Sequence, residues 1–132
     1  MTQAAESRFG FPRIVVHDLQ KQAAFYRAVF GYGEGITIKA EIKGRPLEEV
    51  LLGPDGGKIE FLLLAFPGEP APSPSGVLLG FNTADLDAFE ARVVTAGGSV
   101  YQEIGPMQMG EKATRMAFYS DPEGFLFEVI EG

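Results

Sequence analysis

Two glutamates, Glu60 and Glu128, could do chemistry because each stands alone in an apolar segment, at residues 58–66 and 125–130. A carboxylate in such surroundings can act as a general acid or base, and two of them can share a cation. If the pair comes close together, repulsion between like charges favours one protonated acid beside one ionised base. The alternative is that both carboxylates point into open, solvated space. We take Glu60 and Glu128 as the candidate catalytic residues.

The two glutamates occupy equivalent positions of an internal repeat. Seven residues of a first copy recur 67 or 68 positions later in a second copy. They are Asp18, Leu19, Ala24, Gly31, Pro54, Gly56 and Glu60 in the first copy, and Asp85, Leu86, Ala91, Gly98, Pro122, Gly124 and Glu128 in the second. One copy cannot bury its own apolar face. The copies are therefore expected to pack together and to form a ligand cavity at their seam.

The first copy, at about residues 9–66, has the pattern of a βαβββ unit. Asp18 is a predicted helix N-cap, and Gly31 is a predicted C-terminal glycine. Apolar periodicity predicts strands at 10–16, 36–42, 47–52 and 58–66, with a hairpin turn at 53–57. The last strand is apolar on both faces, so one face is expected to pack under the helix and the other to line an enclosed space.

The second copy, at about residues 77–131, repeats this order. Asp85 is its predicted N-cap, and Gly98 belongs to the glycine pair that ends the helix. Its strands are predicted at 77–83, 99–104, 113–120 and 125–130. Between the copies, the proline-rich segment 67–76 is predicted to be an extended linker. We expect residues 1–132 to form a single domain.

The composition excludes several classes of protein. An apolar fraction of 45% with 11 Phe supports a packed core, while a net charge of −7 without a run of Lys or Arg argues against nucleic acid and anionic membranes. The absence of Cys excludes thiolate chemistry, and the single His17, expected in a loop, excludes His-rich metal sites. A polar segment at 1–8 and short apolar runs predict a soluble, cytoplasmic protein.

Several short motifs resemble the vicinal oxygen chelate superfamily, which includes glyoxalase I, ring-cleaving dioxygenases and bleomycin-resistance proteins. They are the Asp18-Leu19 helix start, Phe25-Tyr26, Phe30-Gly31, and the Asp121-Pro122-Glu123-Gly124 turn that leads to Glu128. The resemblance covers about residues 9–131. It implies an α+β fold in which two βαβββ repeats form an eight-stranded open cup. It also implies a homodimer.

In the metal-dependent members of this superfamily, side chains from the first and last strands of each copy hold a divalent ion. The equivalent positions here are Phe11, Leu78, Glu60 and Glu128. Phenylalanine and leucine cannot donate to a metal, so a site with four protein ligands is not expected. No cofactor is therefore predicted. If an ion does bind to Glu60 and Glu128, two carboxylates and water favour Mn²⁺, Mg²⁺ or Ca²⁺.

Resemblance to glyoxalase I also implies an Arg four residues after the first metal ligand and an Asn four residues after the second. The chain has Val15 and Leu64 at these positions, so the polar contacts that glutathione needs are missing. We do not expect glutathione-dependent glyoxalase I activity.

Further candidates are expected to line the cup and bind a ligand. Arg13 alternates with Phe11 and could bind a carboxylate or carbonyl, or form a surface ion pair. The other predicted ligand-binding residues are Phe11, Leu62, Leu78, Met107 and Met116. The segment 103–112 combines turn-forming residues with methionines, which suits either a lid over an apolar ligand or a plain hairpin connection.

These observations leave three functions open. The first is a small-molecule-binding, glyoxalase-like enzyme, a lyase or isomerase acting next to a carbonyl through Glu60 and Glu128. The second is a metal-free protein, resembling bleomycin-resistance proteins, that sequesters a small apolar, aromatic or cationic molecule. The third is an interaction module whose cup is filled by its own side chains.

Overall fold

The computed structural model describes residues 9–73 and 77–132. Two helices and eight strands follow one another in the same order in both copies. They are β1 (Arg13–Val15), α1 (Leu19–Phe30), β2 (Ile36–Ile42), β3 (Arg45–Leu52), β4 (Phe61–Ala65), β5 (Leu79–Thr83), α2 (Leu86–Thr95), β6 (Ser99–Met109), β7 (Lys112–Ser120) and β8 (Leu126–Glu131). The predicted α+β fold of two βαβββ repeats is confirmed.

The strands form two four-stranded sheets with identical topology, ordered β1-β4-β3-β2 and β5-β8-β7-β6. In each sheet the first and last strands of the copy pair in parallel, and the other neighbours are antiparallel. The parallel pairing places the candidate site strands, β1 with β4 and β5 with β8, side by side. The two sheets do not close into one.

Both helices begin as the sequence predicts. The Asp18 carboxylate accepts a hydrogen bond from the backbone N–H of Lys21 at 3.1 Å, and the Asp85 carboxylate accepts one from Ala88 at 3.1 Å. Helix α1 ends at Gly31, whose φ of 71° lies in the left-handed region that favours glycine. Both helix starts and the end of α1 therefore lie where the local sequence predicts them.

Alternation along the strands gives each sheet two different sides. In β4, Phe61, Leu63 and Ala65 join the core under the helices, whereas Leu62 and Leu64 lie on the opposite side. We call the side opposite the helices the open face of each sheet. Strand register puts the following side chains on it: Arg13, Val15, Ile36, Ile38, Leu47, Glu49, Leu62 and Leu64 in the first sheet, and Asn82, Met107, Met116, Phe118, Glu128 and Ile130 in the second.

An aromatic cluster in one shared core joins the two copies. The Phe30 ring of α1 lies 4.4 Å from the Phe81 ring and 5.3 Å from the Phe89 ring, both in the second copy. Phe127 contributes to the same cluster, with its ring centroid 6.3 Å from that of Tyr26. The Phe30–Phe89 pair is edge-to-face and the other two pairs are tilted, and edge-to-face pairs stabilise beyond the area they bury. The copies are therefore held together through their helix-facing sides, which leaves the open faces uncovered by this core.

The Asp121 turn of the second copy also anchors helix α1 of the first. Its buried carboxylate accepts hydrogen bonds from Gln22 Nε2 at 2.7 Å and the Tyr26 hydroxyl at 2.8 Å, and from the backbone N–H groups of Glu123 and Phe125 at 2.9 Å. Burial, and then the Asp121 charge, raise the pKa of Tyr26 well above its usual value, so this phenol stays a hydrogen-bond donor. The Asp121-Pro122-Glu123-Gly124 turn, one of the motifs that carry the family resemblance, therefore has a structural role.

The Glu123 carboxylate of the same turn supports the start of α1. It accepts hydrogen bonds from the backbone N–H groups of His17 at 2.8 Å and Asp18 at 2.7 Å. A negative charge at a helix N-terminus also interacts favourably with the helix dipole. His17 is exposed and contributes its backbone here, in agreement with the loop position predicted for it.

Gly98 is required where the second copy packs against α1. A Cβ added to it would lie 2.8 Å from Phe25 Cε1, Ser120 O and Val93 Cγ1, and the Ser120 contact is backbone that cannot rotate away. We expect Gly98→Ala to lower the free energy of unfolding by about 2 kcal/mol, measured by urea denaturation. Gly80→Ala is the matched control, because a Cβ at Gly80 would meet only Glu128 Oε1 at 3.8 Å. Equal losses in both variants would contradict this packing.

Several predictions of element bounds need correction. Strand β5 begins at Leu79 and not at residue 77, so Leu78 precedes it. The segment 103–112 is not a separate loop, because β6 continues to Met109 and pairs with β7, leaving only Gly110 and Glu111 between the strands. The ladder is extended past Ile104 by bulges between Val100 and Gly105, which a regular period-two pattern does not reveal. Strand β4 begins at Phe61, so Glu60 precedes it. Strand β1 begins at Arg13, so Phe11 also lies outside the regular ladder.

Two sequence predictions concern residues outside the described ranges, namely the polar segment 1–8 and the last part of the linker, 74–76. The described part of the linker, 67–73, contains no helix or strand. No helix within 9–73 or 77–132 is long and apolar enough to cross a membrane.

Candidate functional site

Glu60 is held by a phenol at the edge of the first sheet. The Tyr32 hydroxyl donates a hydrogen bond to Glu60 Oε1 at 2.7 Å, and the Glu60 backbone N–H donates to Leu52 O at 2.8 Å. Burial, and then the hydrogen bond to Glu60, raise the pKa of Tyr32 above its usual value. The phenol therefore remains protonated and orients the carboxylate, which is itself exposed.

Glu128 lies in the middle of β8 on the open face of the second sheet. Its neighbours across the ladders are Gly80 in β5 and Phe118 in β7. A Cβ built on Gly80 would lie 3.8 Å from Glu128 Oε1, so the carboxylate lies close to the sheet over the space that Gly80 leaves. No hydrogen bond or ion pair to Glu128 occurs among the residues that the structure describes. Its half-buried carboxylate is thus open to a ligand.

The predicted site residues divide between the two sheets. Arg13 and Leu62 belong to the first sheet, and Phe11 and Glu60 lie next to its strands. Met107, Met116 and Glu128 belong to the second sheet, and Leu78 directly precedes its strand β5. Within residues 9–73 and 77–132, no hydrogen bond or ion pair joins one group to the other. The copies pack through the core on the other side of the sheets. Direct contact between Glu60 and Glu128 therefore stays a prediction.

Arg13 forms an ion pair, one of the two alternatives predicted for it, with a buried partner on the open face, Glu49, that was not among the predicted residues. Glu49 in β3 is only 5% exposed, and its Oε2 lies 2.9 Å from Nε of Arg13 in β1. The N–H of Arg13 is not directed for a hydrogen bond, and Oε2 has no directed donor among the described residues, so the contact is a charge pair. The alternation Leu47, Glu49, Leu51 could have indicated Glu49, because it places one carboxylate between two leucines on the same side of the strand.

A cavity of about 410 Å³ lies beside this pair, between β1, the end of β4 and the linker. Its walls include Arg13, Val15, Arg45, Phe66, Pro72 and Val77. The size lies within the range of small-molecule sites, and the walls are mostly apolar with two guanidinium groups. The structure therefore brings Arg13, a predicted ligand-binding residue, to a cavity.

The second guanidinium of this cavity is already engaged. Arg45 donates to the Glu69 carboxylate through Nε at 2.7 Å and also through Nη2, and its guanidinium lies 3.5 Å from the centroid of the Phe66 ring. These contacts attach the beginning of the linker to β3 and shape the wall of the cavity. Arg13 is the guanidinium of this cavity whose two terminal nitrogens both have no hydrogen-bond acceptor among the described residues.

The residues present do not fit a divalent ion held by four protein ligands. Phe11 and Leu78 stand at two of the four positions and cannot coordinate a metal, and Glu60 is already bonded to Tyr32. In the described parts of the chain, no three or more His, Cys, Asp or Glu side chains form a group that could hold an ion. We derive no chemistry through a metal.

Comparison with known proteins agrees with this architecture. A family model described as the Glyoxalase/Bleomycin resistance protein/Dioxygenase superfamily matches residues 8–129. No curated protein sequence gives a match.

Three solved structures illustrate the similarity in fold. A glyoxalase I variant from Zea mays has a TM-score of 0.75 at 21% identity, covering 95% of this chain but only 44% of its own. The fosfomycin resistance protein FosX from Listeria monocytogenes has a TM-score of 0.66 at 20% identity, and the match covers 96% of this chain and 93% of FosX. A glyoxalase/bleomycin resistance protein from Albidiferax ferrireducens has a TM-score of 0.64 at 23% identity, with 96% and 100% covered.

Likeness at these identities shows the fold, and the family model carries the assignment because it matches nearly the whole chain. The paired βαβββ copies and the Asp121 turn are the features on which sequence and structure agree. The chain belongs to the glyoxalase/bleomycin resistance protein/dioxygenase superfamily.

Proposed function

We propose that the protein binds a small apolar or aromatic molecule on its open faces, without a metal ion held by the protein. The observation that carries this proposal is the apolar surface on the open face of the first sheet. Its exposed members include Val15 (43%), Ile36 (57%) and Ile38 (39%), next to the flanking Phe11 (49%). The strand residues among them lie on the two edge strands, β1 and β2, on either side of the buried Leu62 and Leu64. Exposed apolar side chains gathered on one face of a sheet are typical of a binding surface.

The names of two relatives with similar chain length support a small-molecule role. One is a fosfomycin resistance protein and the other a glyoxalase/bleomycin resistance protein, and this chain covers 93% and 100% of them. Binding without catalysis suits the open-face residues here, because the metal-ligand positions hold Phe11 and Leu78. Sequestration of a small molecule is thus our first candidate function.

We also propose that the protein acts as a homodimer. The edge strand β2 is exposed at all seven residues and carries three exposed isoleucines, Ile36, Ile38 and Ile42. An apolar edge strand left open is prone to pairing, and a symmetric dimer is the simplest way to cover it. A second copy could also bring a Glu128-bearing face near a Glu60-bearing one.

A second candidate is proton transfer next to a carbonyl, a lyase or isomerase reaction, by Glu60 and Glu128. Two contacts favour it: the Tyr32 hydroxyl orients Glu60 at 2.7 Å, and Glu128 lies unpaired among the described residues. An oriented carboxylate beside a protonated phenol is a suitable general base, and a second carboxylate could return the proton. In this proposal Glu60 and Glu128 accept and return protons, and they do not hold a metal.

Titration of the ¹⁵N-labelled chain with benzamide, a neutral aromatic probe, tests open-face binding. We expect saturable amide shifts in residues 13–15, 47–51 and 62–64, and about 10-fold weaker binding in Val15→Asp, since a charge on the open face opposes an apolar ligand. Val94→Asp is the matched control, because Val94 is 57% exposed on α2, away from this face. Equal behaviour of the two variants, or no saturable binding, would overturn the proposal.

The same preparation separates the two candidates. A protein that only binds should leave a carbonyl ligand without deuterium exchange in D₂O. An enzyme of the second kind should exchange deuterium into the carbon beside the carbonyl, and Glu60→Gln with Glu128→Gln should abolish that exchange while affinity is largely kept.

A further inference from the structure

We propose that Arg13 recognises a carboxylate, so that the ligand of the first sheet is an apolar or aromatic carboxylate. This inference rests on the proposed binding at the open face and names the ligand class. It depends on three observations: Glu49 fixes Arg13, the terminal nitrogens of Arg13 have no described partner, and a cavity with apolar walls adjoins them.

Glu49 acts as the positioning residue for Arg13. Its side chain is only 6% exposed, so its charge has little access to water and needs a nearby cation. Arg13 supplies that cation from the neighbouring part of the sheet, with Nε 2.9 Å from Glu49 Oε2. This contact restricts the guanidinium, which otherwise samples many rotamers, to a small range of orientations next to the cavity.

The remaining donors of Arg13 are placed to meet a ligand. A guanidinium has five N–H donors, of which Nε is next to Glu49, while the Phe11 ring lies 5.3 Å from its central carbon. No hydrogen bond from Nη1 or Nη2 to another described residue occurs. The Arg13 side chain is 39% exposed and lines the cavity of about 410 Å³. Two parallel N–H groups match the two oxygens of a carboxylate.

The rest of the cavity suits the apolar part of such a ligand. Val15, Phe66 and Val77 provide apolar wall, and Arg45 is occupied by Glu69. Each arginine is paired with a glutamate, so the cavity does not carry a strong positive field. Recognition would therefore come from the direction of the Arg13 donors, and we expect it to depend only weakly on ionic strength.

Paired titrations with benzoate and benzamide test the inference, because the two probes share a ring and differ in charge. In the unaltered chain, benzoate should bind about 10-fold more tightly than benzamide and shift the amides of residues 13–15. The Arg13→Met/Glu49→Gln variant removes both charges, so neither is left without a partner. Its affinities for benzoate and benzamide should be equal. Arg13→Lys should keep only part of the preference, because an ammonium lacks the planar fork.

Lys39→Met is the control variant, since it removes a cation from the helix side of β2 in the same sheet, and it should retain the full preference. Equal affinity of the unaltered chain for both probes would overturn carboxylate recognition, but it would not contradict the proposed binding of an aromatic molecule on the open face. A preference that persists in Arg13→Met/Glu49→Gln would remove Arg13 from the site. Failure of both probes to bind would overturn this inference and the proposed function together.

Discussion

Replacing Asp121 by alanine should lower the free energy of unfolding by about 4 kcal/mol, the largest effect we expect from a single substitution in this chain. The carboxylate is 3% exposed and accepts four hydrogen bonds, two of them from α1 of the other copy. Alanine would leave buried donors on Gln22 and Tyr26 without a partner, and each such donor costs about 1–3 kcal/mol. Urea denaturation followed by circular dichroism measures the loss.

Two further variants show whether the hydrogen bonds cause this effect. Asp121→Asn keeps one acceptor oxygen but places an amide opposite a donor, so about half of the loss is expected. Asp55→Ala alters the exposed turn of the first copy, where no described residue donates to the side chain, and should change stability by no more than about 0.5 kcal/mol. A loss below about 1 kcal/mol for Asp121→Ala would mean that the turn does not hold the copies together.

Replacing Arg13 by methionine should lower the free energy of unfolding by about 3 kcal/mol, although Arg13 itself is partly exposed. The cost arises at Glu49, because its buried charge would lose the only cation within 4 Å in the described residues. The Arg13→Met/Glu49→Gln variant should recover most of the loss, since no uncompensated charge remains. Chemical denaturation of both variants, with Glu49→Gln alone, completes a double-mutant cycle.

Lys39→Met again serves as the control, because it removes one positive charge from an exposed position and should change stability little. A coupling energy near zero between Arg13 and Glu49 would show that water already screens the Glu49 charge. It would also remove the reason to regard Glu49 as the residue that positions Arg13 for a ligand.

The positions of Val15 and Leu64 bear on the glutathione-dependent reaction. Both lie on the open face, paired in register in β1 and β4, where resemblance to glyoxalase I implies polar contacts with glutathione. Apolar side chains there would leave a charged ligand without partners. The open face of the first sheet instead carries one charged pair, Arg13 and Glu49, within an apolar surface.

Local patterns in the sequence determined much of the fold. The capping residues Asp18 and Asp85 specified both helix starts, since a cap is formed by atoms a few residues apart. The period-two alternation around Leu62 and Leu64 specified which side of β4 faces away from the helices. The repeat then predicted two copies with the same topology, which the two sheets show.

Only the tertiary structure decided which distant residues become partners. The register of β1, β4 and β3 places Arg13 and Glu49 on the same face of the sheet, with β4 between their strands. Asp121 contacts Gln22 because the copies pack through their helix-facing sides. The extent of β6 depended on bulges, and the division of the site residues between two sheets depended on how the copies dock. Composition and periodicity act over a few residues, whereas these contacts depend on the relative placement of whole sheets, which long-range packing sets.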